Sequence, residues 1–254
     1  MNWSEKKVLV AGAYGFLGSH IVNQLQKVGA RNIVIPSSKE YDLRKNENCR
    51  EVVRDIDIVF NLAAHVGGIG LNRDKPGELF YDNLMIGTQL LHEAKNASVE
   101  KFVGLGTVCS YPKFSQIPFT EDSIWDGYPD ETNAPYGLAK KMVIVQSQAY
   151  RKQYNFKSIV VVPTNMYGPS DHFNDTSSHV IAALILKIYN AKKNNGRENK
   201  ILPPTARRIA INKDKIISKV LTLFVIFLLL ALANQDNNKK VMTKMIIPVN
   251  IIFI

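Results

Sequence analysis

Cysteine is scarce in this sequence of 254 residues, and no long apolar run follows its first residues. Two cysteines, Cys49 and Cys109, cannot build the disulfide framework of a small secreted protein. The first residues pass from Trp3 through a few charged side chains into a short apolar segment, without the apolar stretch of a signal peptide. These absences predict a protein of the reducing cytoplasm.

A strong excess of one charge is also missing from most of the chain. The net charge is +10, but residues 201–254 hold eight Lys and Arg against two acidic residues, which leaves 24 against 20 before them. Because no basic stripe interleaved with aromatic residues accompanies this balance, we predict no nucleic-acid partner. With 46% hydrophobic residues, the chain can bury the core of one large domain.

Residues 201–254 lack glycine, tryptophan and tyrosine, and they show no strand alternation. Their apolar segment at 220–233 has 14 residues and reaches back to Ile216 only by including Lys219. Since a bilayer span needs about 20 residues, we predict a short apolar helix within 216–233 rather than a membrane partner. We expect residues 201–254 to be a divergent tail that arose from a truncated gene or a shifted reading frame.

Short apolar segments alternate with helical patterns over residues 1–200. The predicted strands are 7–11, 32–36, 57–60, 101–105 and 158–162, and the predicted helices are 16–28, 44–54, 77–98 and 135–154. Continuous apolar strands between amphipathic helices indicate a parallel sheet covered on both faces through right-handed crossovers. The predicted fold is therefore α/β, a Rossmann-like doubly wound parallel sheet with an incomplete or aberrant C-terminal substrate-binding part.

Three glycines, Gly12, Gly15 and Gly18, stand between the first predicted strand and the first predicted helix. The first permits a tight turn, the second lets the backbone approach a pyrophosphate, and the third lets the helix pack on the strand. Glycines are common in any turn, but this position also aims helix N–H groups at a phosphate. The motif predicts dinucleotide binding by Gly12, Ala13, Tyr14, Gly15, Phe16, Leu17 and Gly18.

Hydroxyl and lysine side chains follow the second predicted strand. No carboxylate stands there to hold the ribose hydroxyls of NAD, whereas Ser38 and Lys39 can accept the 2′-phosphate of NADP. These residues could also form only a polar loop, but the pattern favours NADP as the cofactor.

After the third strand, small side chains let the backbone approach the adenosine side of a cofactor, or simply close a tightly packed strand. These residues are Asn61, Leu62, Ala63 and Ala64.

Tyr136 and Lys140 lie four residues apart in a predicted helix and therefore on one face. There the ammonium can lower the pKa of the phenol and hold a nicotinamide ribose, while the phenol exchanges a proton with a substrate oxygen. The same spacing also occurs by chance as a solvent-facing pair. With the Thr107 hydroxyl at the exit of the fourth strand, the order of these features resembles the layout of the short-chain dehydrogenases.

Cys109 and His179 are candidates for proton transfer. Cys109 lies two residues after Thr107, and His179 stands at the start of a helical pattern. A thiolate and an imidazole near a sugar ketone could act as base and acid at the carbon beside the carbonyl. From the residues alone, the alternative is that Cys109 is a small buried side chain and His179 a helix cap.

Five segments resemble the GDP-L-fucose synthases of the extended short-chain dehydrogenases, the NAD-dependent epimerase/dehydratase family. They are residues 63–70, 106–113, 133–140, 163–173 and 177–181. The resemblance implies that NADPH reduces the C4 ketone of GDP-4-keto-6-deoxymannose, with Tyr136 as proton donor and Lys140 and Thr107 assisting. It also implies that Cys109 and His179 move protons at C3 and C5.

The resemblance further implies a GDP-sugar partner, a homodimer by analogy, and no metal site. It adds cofactor contacts by Leu105, Gly106, Lys140, Pro163, Thr164, Asn165 and Met166, and a substrate contact by Lys187. Two departures are visible: Thr107 replaces a serine, and Tyr14 stands where an arginine helps to hold the cofactor phosphate. Beyond about Lys200 the resemblance ends, so we expect an NADP-binding domain over 1–200.

Three alternatives to a GDP-L-fucose synthase stay open on the same fold. One is a related GDP-sugar 4-reductase, and another is a 4-epimerase or dehydratase. A dehydratase would use acidic residues after Thr107, where Val108 and Cys109 stand instead. The last is an inactive truncated fragment that binds a dinucleotide at best, because the substrate contacts expected beyond residue 200 have no counterpart.

Overall fold

The computed structural model describes residues 1–168, 171 and 180–193. This part contains a five-stranded sheet in the order β2, β1, β3, β4, β5, and each neighbouring pair is parallel. The strands are β1 (Lys7–Ala11), β2 (Asn32–Val34), β3 (Ile58–Asn61), β4 (Lys101–Leu105) and β5 (Ser158–Val161). The predicted parallel α/β sheet is confirmed. Strand β2 ends before Pro36, which has no N–H group to extend the ladder.

The four predicted helices form at nearly the predicted positions. The α-helices are α1 (Phe16–Lys27), α2 (Asn46–Val52), α3 (Ile69–Asp74), α4 (Pro76–Asn96), α5 (Ala134–Tyr154) and α6 (Val180–Lys193). Two short 3₁₀ segments, Val108–Ser110 and Asp122–Trp125, lie between β4 and α5. The short helix α3 and the 3₁₀ segments were not predicted, because segments this short carry too few residues to show a period.

The residues of β1 alternate between two hydrophobic cores. Val8 and Val10 pack on one face of the sheet with side chains of α1. Leu9 and Ala11 pack on the other face with side chains of α2, α4 and α5. These four residues are fully buried, which explains why they form an unbroken apolar run rather than an alternation.

The strand order places the candidate site at the carboxyl edge of the sheet. The chain leaves β1 toward β2 on one side, and β3 pairs with β1 on the other. This reversal opens a crevice outside the carboxyl ends of β1 and β3, which is where open α/β sheets bind ligands. The Leu62 N–H donates to the Ala11 carbonyl at 3.0 Å and holds the exits of the two strands together.

Several predictions fall outside the described residues. His179 and the whole segment 201–254, including the apolar stretch at 220–233, are not described, so the domain boundary near residue 200 stays a prediction. Among the helices that are described, none combines the length and the apolar character needed to cross a membrane.

Candidate dinucleotide and catalytic site

Two glycines of the turn after β1 are fixed by close backbone packing. Gly12 has a φ of +80°, and a Cβ added to it would lie 2.7 Å from the Ala63 nitrogen. A Cβ on Gly18 would lie only 2.1 Å from the Gly12 carbonyl oxygen. Because real Cβ atoms do not approach backbone this closely, the turn accepts no side chain at either position.

The rest of the turn is open on the side that faces solvent. Tyr14 is 78% exposed and Gly15 is exposed, while Ala13 and Leu17 are buried beneath them and Phe16 packs partly against the core. Helix α1 begins here, and within the described residues no side chain caps its first N–H groups. An exposed glycine turn beside an uncapped helix start fits a diphosphate group.

A buried acceptor lies at the end of β3, next to this turn. Asn61 is 4% exposed, and its Oδ1 has no hydrogen-bond partner within the part of the chain that the structure describes. Leaving a buried carbonyl oxygen unpaired costs about 1–3 kcal/mol. Asn61 therefore fits a ligand that brings a donor to this edge, while Leu62, Ala63 and Ala64 continue along it as half-buried backbone.

Ser38 and Lys39 are both exposed beyond the end of β2. A tight turn presents them: the Lys39 N–H donates to Ser37 Oγ at 3.3 Å, and the Tyr41 N–H donates to the Ser37 carbonyl at 2.8 Å. Since β2 pairs with β1, this turn lies at the same edge as the glycine turn. The location suits the adenosine end of a dinucleotide, and the role of both side chains stays a prediction.

Thr107, Cys109 and Tyr136 come together beyond the end of β4. Leu105 ends the strand, and the Gly106 N–H donates to the Val161 carbonyl at 2.8 Å. Thr107 then starts the 3₁₀ segment, where its Oγ1 accepts from the Cys109 N–H at 3.2 Å. The Thr107 side chain also lies close enough to the phenol of Tyr136 to lower the pKa of that phenol. The structure thus brings the strand-exit hydroxyl and the helical tyrosine together, and their catalytic roles stay predictions.

Gly137 and Ser110 set this approach, and neither was predicted. A Cβ on Gly137 would lie 2.2 Å from the Cys109 carbonyl oxygen, so α5 packs directly against the 3₁₀ backbone. Fully buried Ser110 donates from Oγ to the Gly137 carbonyl at 2.7 Å. The sequence does offer a signal for this contact. Gly137, which has no side chain, follows Tyr136 directly, and Ser110, which has a small hydroxyl side chain, follows Cys109 directly.

Burial controls the protonation of Tyr136 and Lys140. Loss of solvent raises the pKa of Tyr136, the nearby Cys109 raises it further, and the Thr107 hydrogen bond opposes them. The sequence-based interpretation that Lys140 lowers the pKa of this phenol is therefore wrong, because the effect of burial is larger and raises it. Burial also lowers the pKa of Lys140 to about 8, so most of its population is still protonated at neutral pH.

The buried Lys140 predicts a pH-dependent stability. Its pKa is 10.5 as a free group and about 8 in the folded chain, so the folded chain binds fewer protons than the unfolded chain between these values. The burial penalty is fully present below about pH 8 and is relieved as the pH rises toward 10.5. This fall in pKa corresponds to about 3 kcal/mol.

Lys140→Met is accordingly expected to raise the free energy of unfolding near neutral pH by up to about 3 kcal/mol. The gain should shrink as the pH approaches 10.5, and urea unfolding over this pH range measures it. Lys187→Met, at an exposed position of α6, is the matched control and should change little. A less stable Lys140→Met protein at neutral pH would contradict the assigned burial cost.

The remaining predicted contacts lie in the loop after β5 and on α6. Met166 packs against the core on the α1 face, Pro163 is half-buried, and Thr164 and Asn165 are exposed. This loop leaves the carboxyl end of β5 and so begins at the edge that carries Thr107. The cofactor role of the loop and the substrate role of the exposed Lys187 stay predictions.

Comparison with known proteins identifies relatives over most of the chain. The sequence model of the NAD dependent epimerase/dehydratase family matches residues 8–208. GDP-L-fucose synthase 1 of Arabidopsis thaliana is 36% identical over 200 residues, which are 78% of this chain and 62% of the relative. The chain spans about three fifths of the length of the curated relatives it matches.

Two solved structures show the same architecture. A GDP-6-OMe-4-keto-L-xylo-heptose reductase from C. jejuni is 26% identical with a TM-score of 0.72, over 87% of this chain and 63% of that one. A GDP-L-fucose synthetase from Naegleria fowleri bound to NADP is 27% identical with a TM-score of 0.68. That match covers 76% of this chain and 64% of the other.

Proposed function

Because the chain belongs to the NAD dependent epimerase/dehydratase family, we propose that it binds NADP and acts on a GDP-linked keto sugar. The proposed reaction is that of the GDP-L-fucose synthases: epimerisation of GDP-4-keto-6-deoxymannose at C3 and C5, followed by reduction at C4. The observation that carries the proposal is the contact between Thr107 and Tyr136, with Cys109 beside them. Similarity to GDP-L-fucose synthases supports the choice of sugar.

Tyr136 is suited to act as a proton donor. Because burial raises its pKa, the phenol keeps its proton at neutral pH and can give it to the C4 oxygen as that oxygen becomes a hydroxyl. The Thr107 hydroxyl can bond the same oxygen and orient it. The reduced nicotinamide supplies the hydride when the cofactor is bound, and Lys140, one turn along α5, would hold the adjoining ribose.

Cys109 is the proposed acid or base for epimerisation. The structure leaves it only partly buried, so the alternative of a purely buried filling residue does not describe it. A thiol at this position is close enough to Tyr136 to influence the charge on the phenol, and therefore lies near the proposed sugar ring. His179 is proposed as its partner through the resemblance to GDP-L-fucose synthases.

The preference for NADP rests on the exit of β2. Ser38 and Lys39 are exposed there and offer a hydroxyl and a cation to a 2′-phosphate. The similar Naegleria fowleri protein is bound to NADP, which supports this choice. Titration of the chain with NADPH and with NADH tests it, and tighter NADH binding would contradict it.

A GDP-sugar 4-reductase without epimerase activity is the second candidate, favoured by the similarity to the C. jejuni reductase. Incubating the chain with NADPH and GDP-4-keto-6-deoxymannose, followed by product analysis, separates the two. GDP-L-fucose as product supports the first candidate, and a reduced but unepimerised sugar supports the second. NADPH binding with no product would indicate a chain that only binds the dinucleotide.

Cys109→Ser is expected to slow epimerisation about 100-fold or more and to affect ketone reduction less, because a serine hydroxyl is a far weaker base than a thiolate. Exchange of substrate C–H protons with deuterated water measures epimerisation, and loss of NADPH absorbance measures reduction. Cys49→Ser, at a fully buried cysteine outside the site, is the control. Equal losses in both assays would remove this division of labour.

A further inference from the structure

His65 is held at three points in the loop that follows β3. Its backbone N–H donates to Asn83 Oδ1 at 3.2 Å, and its backbone carbonyl accepts from Asn83 Nδ2 at 2.8 Å. Its ring Nδ1 lies 2.8 Å from Asp82 Oδ2. Asn83 is itself 1% exposed and also donates to the Leu79 carbonyl at 2.8 Å. The contacts of His65 with Asp82 and Asn83 therefore fix this loop to α4.

Asp82 joins His65 to a chain of charged side chains. Its side chain is 13% exposed, and its other oxygen accepts from Arg44 Nη1 at 3.1 Å. Arg44 also pairs with Asp42 at 2.8 Å. Since Asp42 and Arg44 follow closely on Ser38 and Lys39, this chain joins the proposed adenosine end of the site to the loop after β3.

His65 follows two residues after the segment that packs on the glycine turn. The Ala63 nitrogen, two residues earlier, is packed so closely on Gly12 that no Cβ would fit between them. The imidazole stands 33% exposed at this edge. With the Nδ1 N–H directed at a carboxylate, Nε2 is the nitrogen that can meet a ligand, and it donates to an anionic oxygen when both ring nitrogens carry a proton.

We propose that His65 binds a diphosphate group at the carboxyl edge of the sheet through Nε2, with Asp82 and Asn83 as positioning residues. The inference rests on the proposed function, which brings two diphosphates to this edge, that of the dinucleotide and that of the GDP-sugar. Both diphosphates offer the same kind of anionic oxygen to the imidazole. The dinucleotide is favoured because Ala63, two residues before His65, packs on Gly12.

Calorimetric titration of His65→Leu with NADPH and with GDP tests the proposal and separates the two sources. A charge-assisted hydrogen bond of this kind contributes roughly a ten-fold factor in affinity. We therefore expect the NADPH Kd to rise about ten-fold. A rise in the GDP Kd alone would assign the same contact to the nucleotide sugar.

Two conservative variants separate binding from folding. His65→Gln keeps an N–H donor and should recover much of the lost affinity, whereas Asp82→Asn keeps the shape but removes the charge and should lose part of it. His92→Leu, an exposed histidine of α4 that contacts Tyr150, is the matched control and should leave both Kd values unchanged. Thermal unfolding of each variant checks that the fold is intact.

Unchanged Kd values for both ligands in folded His65→Leu, with wild-type binding intact, would overturn the inference and leave the proposed function standing. Should His65→Leu fail to fold, unchanged affinity in both His65→Gln and Asp82→Asn would overturn it as well. A wild-type chain that binds neither NADPH nor GDP would overturn the proposed function, and this inference with it.

Discussion

Tyr136→Phe is expected to slow ketone reduction about a thousand-fold while leaving the Kd for NADPH nearly unchanged. The substitution removes only the proton-donating hydroxyl from a ring that α5 and the 3₁₀ segment already hold in place. Single-turnover loss of NADPH absorbance, with the protein in excess over GDP-4-keto-6-deoxymannose, measures the rate. Calorimetry measures the affinity.

Tyr154→Phe is the matched control for this prediction. Tyr154 ends the same helix, but its ring contacts Lys95 and Tyr150 rather than Thr107. We expect this variant to keep the wild-type rate. A Tyr136→Phe protein with an unchanged rate would mean that another group protonates the C4 oxygen, and it would remove the contact between Thr107 and Tyr136 as support for the proposed reaction.

Gly18→Val is expected to weaken NADPH binding by about 100-fold or more and to destabilise the fold by about 3 kcal/mol. A Cβ at this position would lie 2.1 Å from the Gly12 carbonyl oxygen. Since the obstacle is backbone rather than a flexible side chain, α1 must move away from β1 and carry its first N–H groups with it. Calorimetry and urea unfolding measure the two losses.

Gly77→Val provides the same chemical change without the obstruction. Gly77 lies in the first turn of α4, and a Cβ there would meet nothing within 4 Å. This variant should bind NADPH as the wild type does and should unfold at a similar urea concentration, because glycine is already a poor helix former. Equal behaviour of the two variants would contradict the close packing of the glycine turn.

The strands were the most predictable part of the fold. Strands β1 and β4 occupy the predicted residues because each, after its first lysine, is an apolar run buried on both faces. The helix carrying Tyr136 was predictable for a similar local reason, namely its period and the pair of residues on one face. These features depend on neighbours in the sequence, which is why a single sequence reveals them.

The contacts that shape the site were not predictable in the same way. His65 meets Asp82 and Cys109 meets Gly137 only after distant segments have packed. The predicted direction of the Tyr136 pKa shift was wrong for a related reason. The spacing to Lys140 is visible in the sequence, whereas the loss of solvent around the phenol is a property of the packed structure. Burial then outweighs the partner that the sequence displays.

The unequal strands at the centre and edge of the sheet bear on how cofactor preference can evolve. Strand β1, which ends at the glycine turn, is bonded on both sides, whereas β2 has three residues and, among the strands that the structure describes, one neighbour. Exchanges at Ser38 or Lys39, the proposed contacts of the 2′-phosphate, would therefore change the proposed cofactor preference with little effect on the fold. The glycine turn, which we propose to hold the diphosphate, would tolerate almost no change, so lineages sharing this architecture should diverge first at the exit of β2.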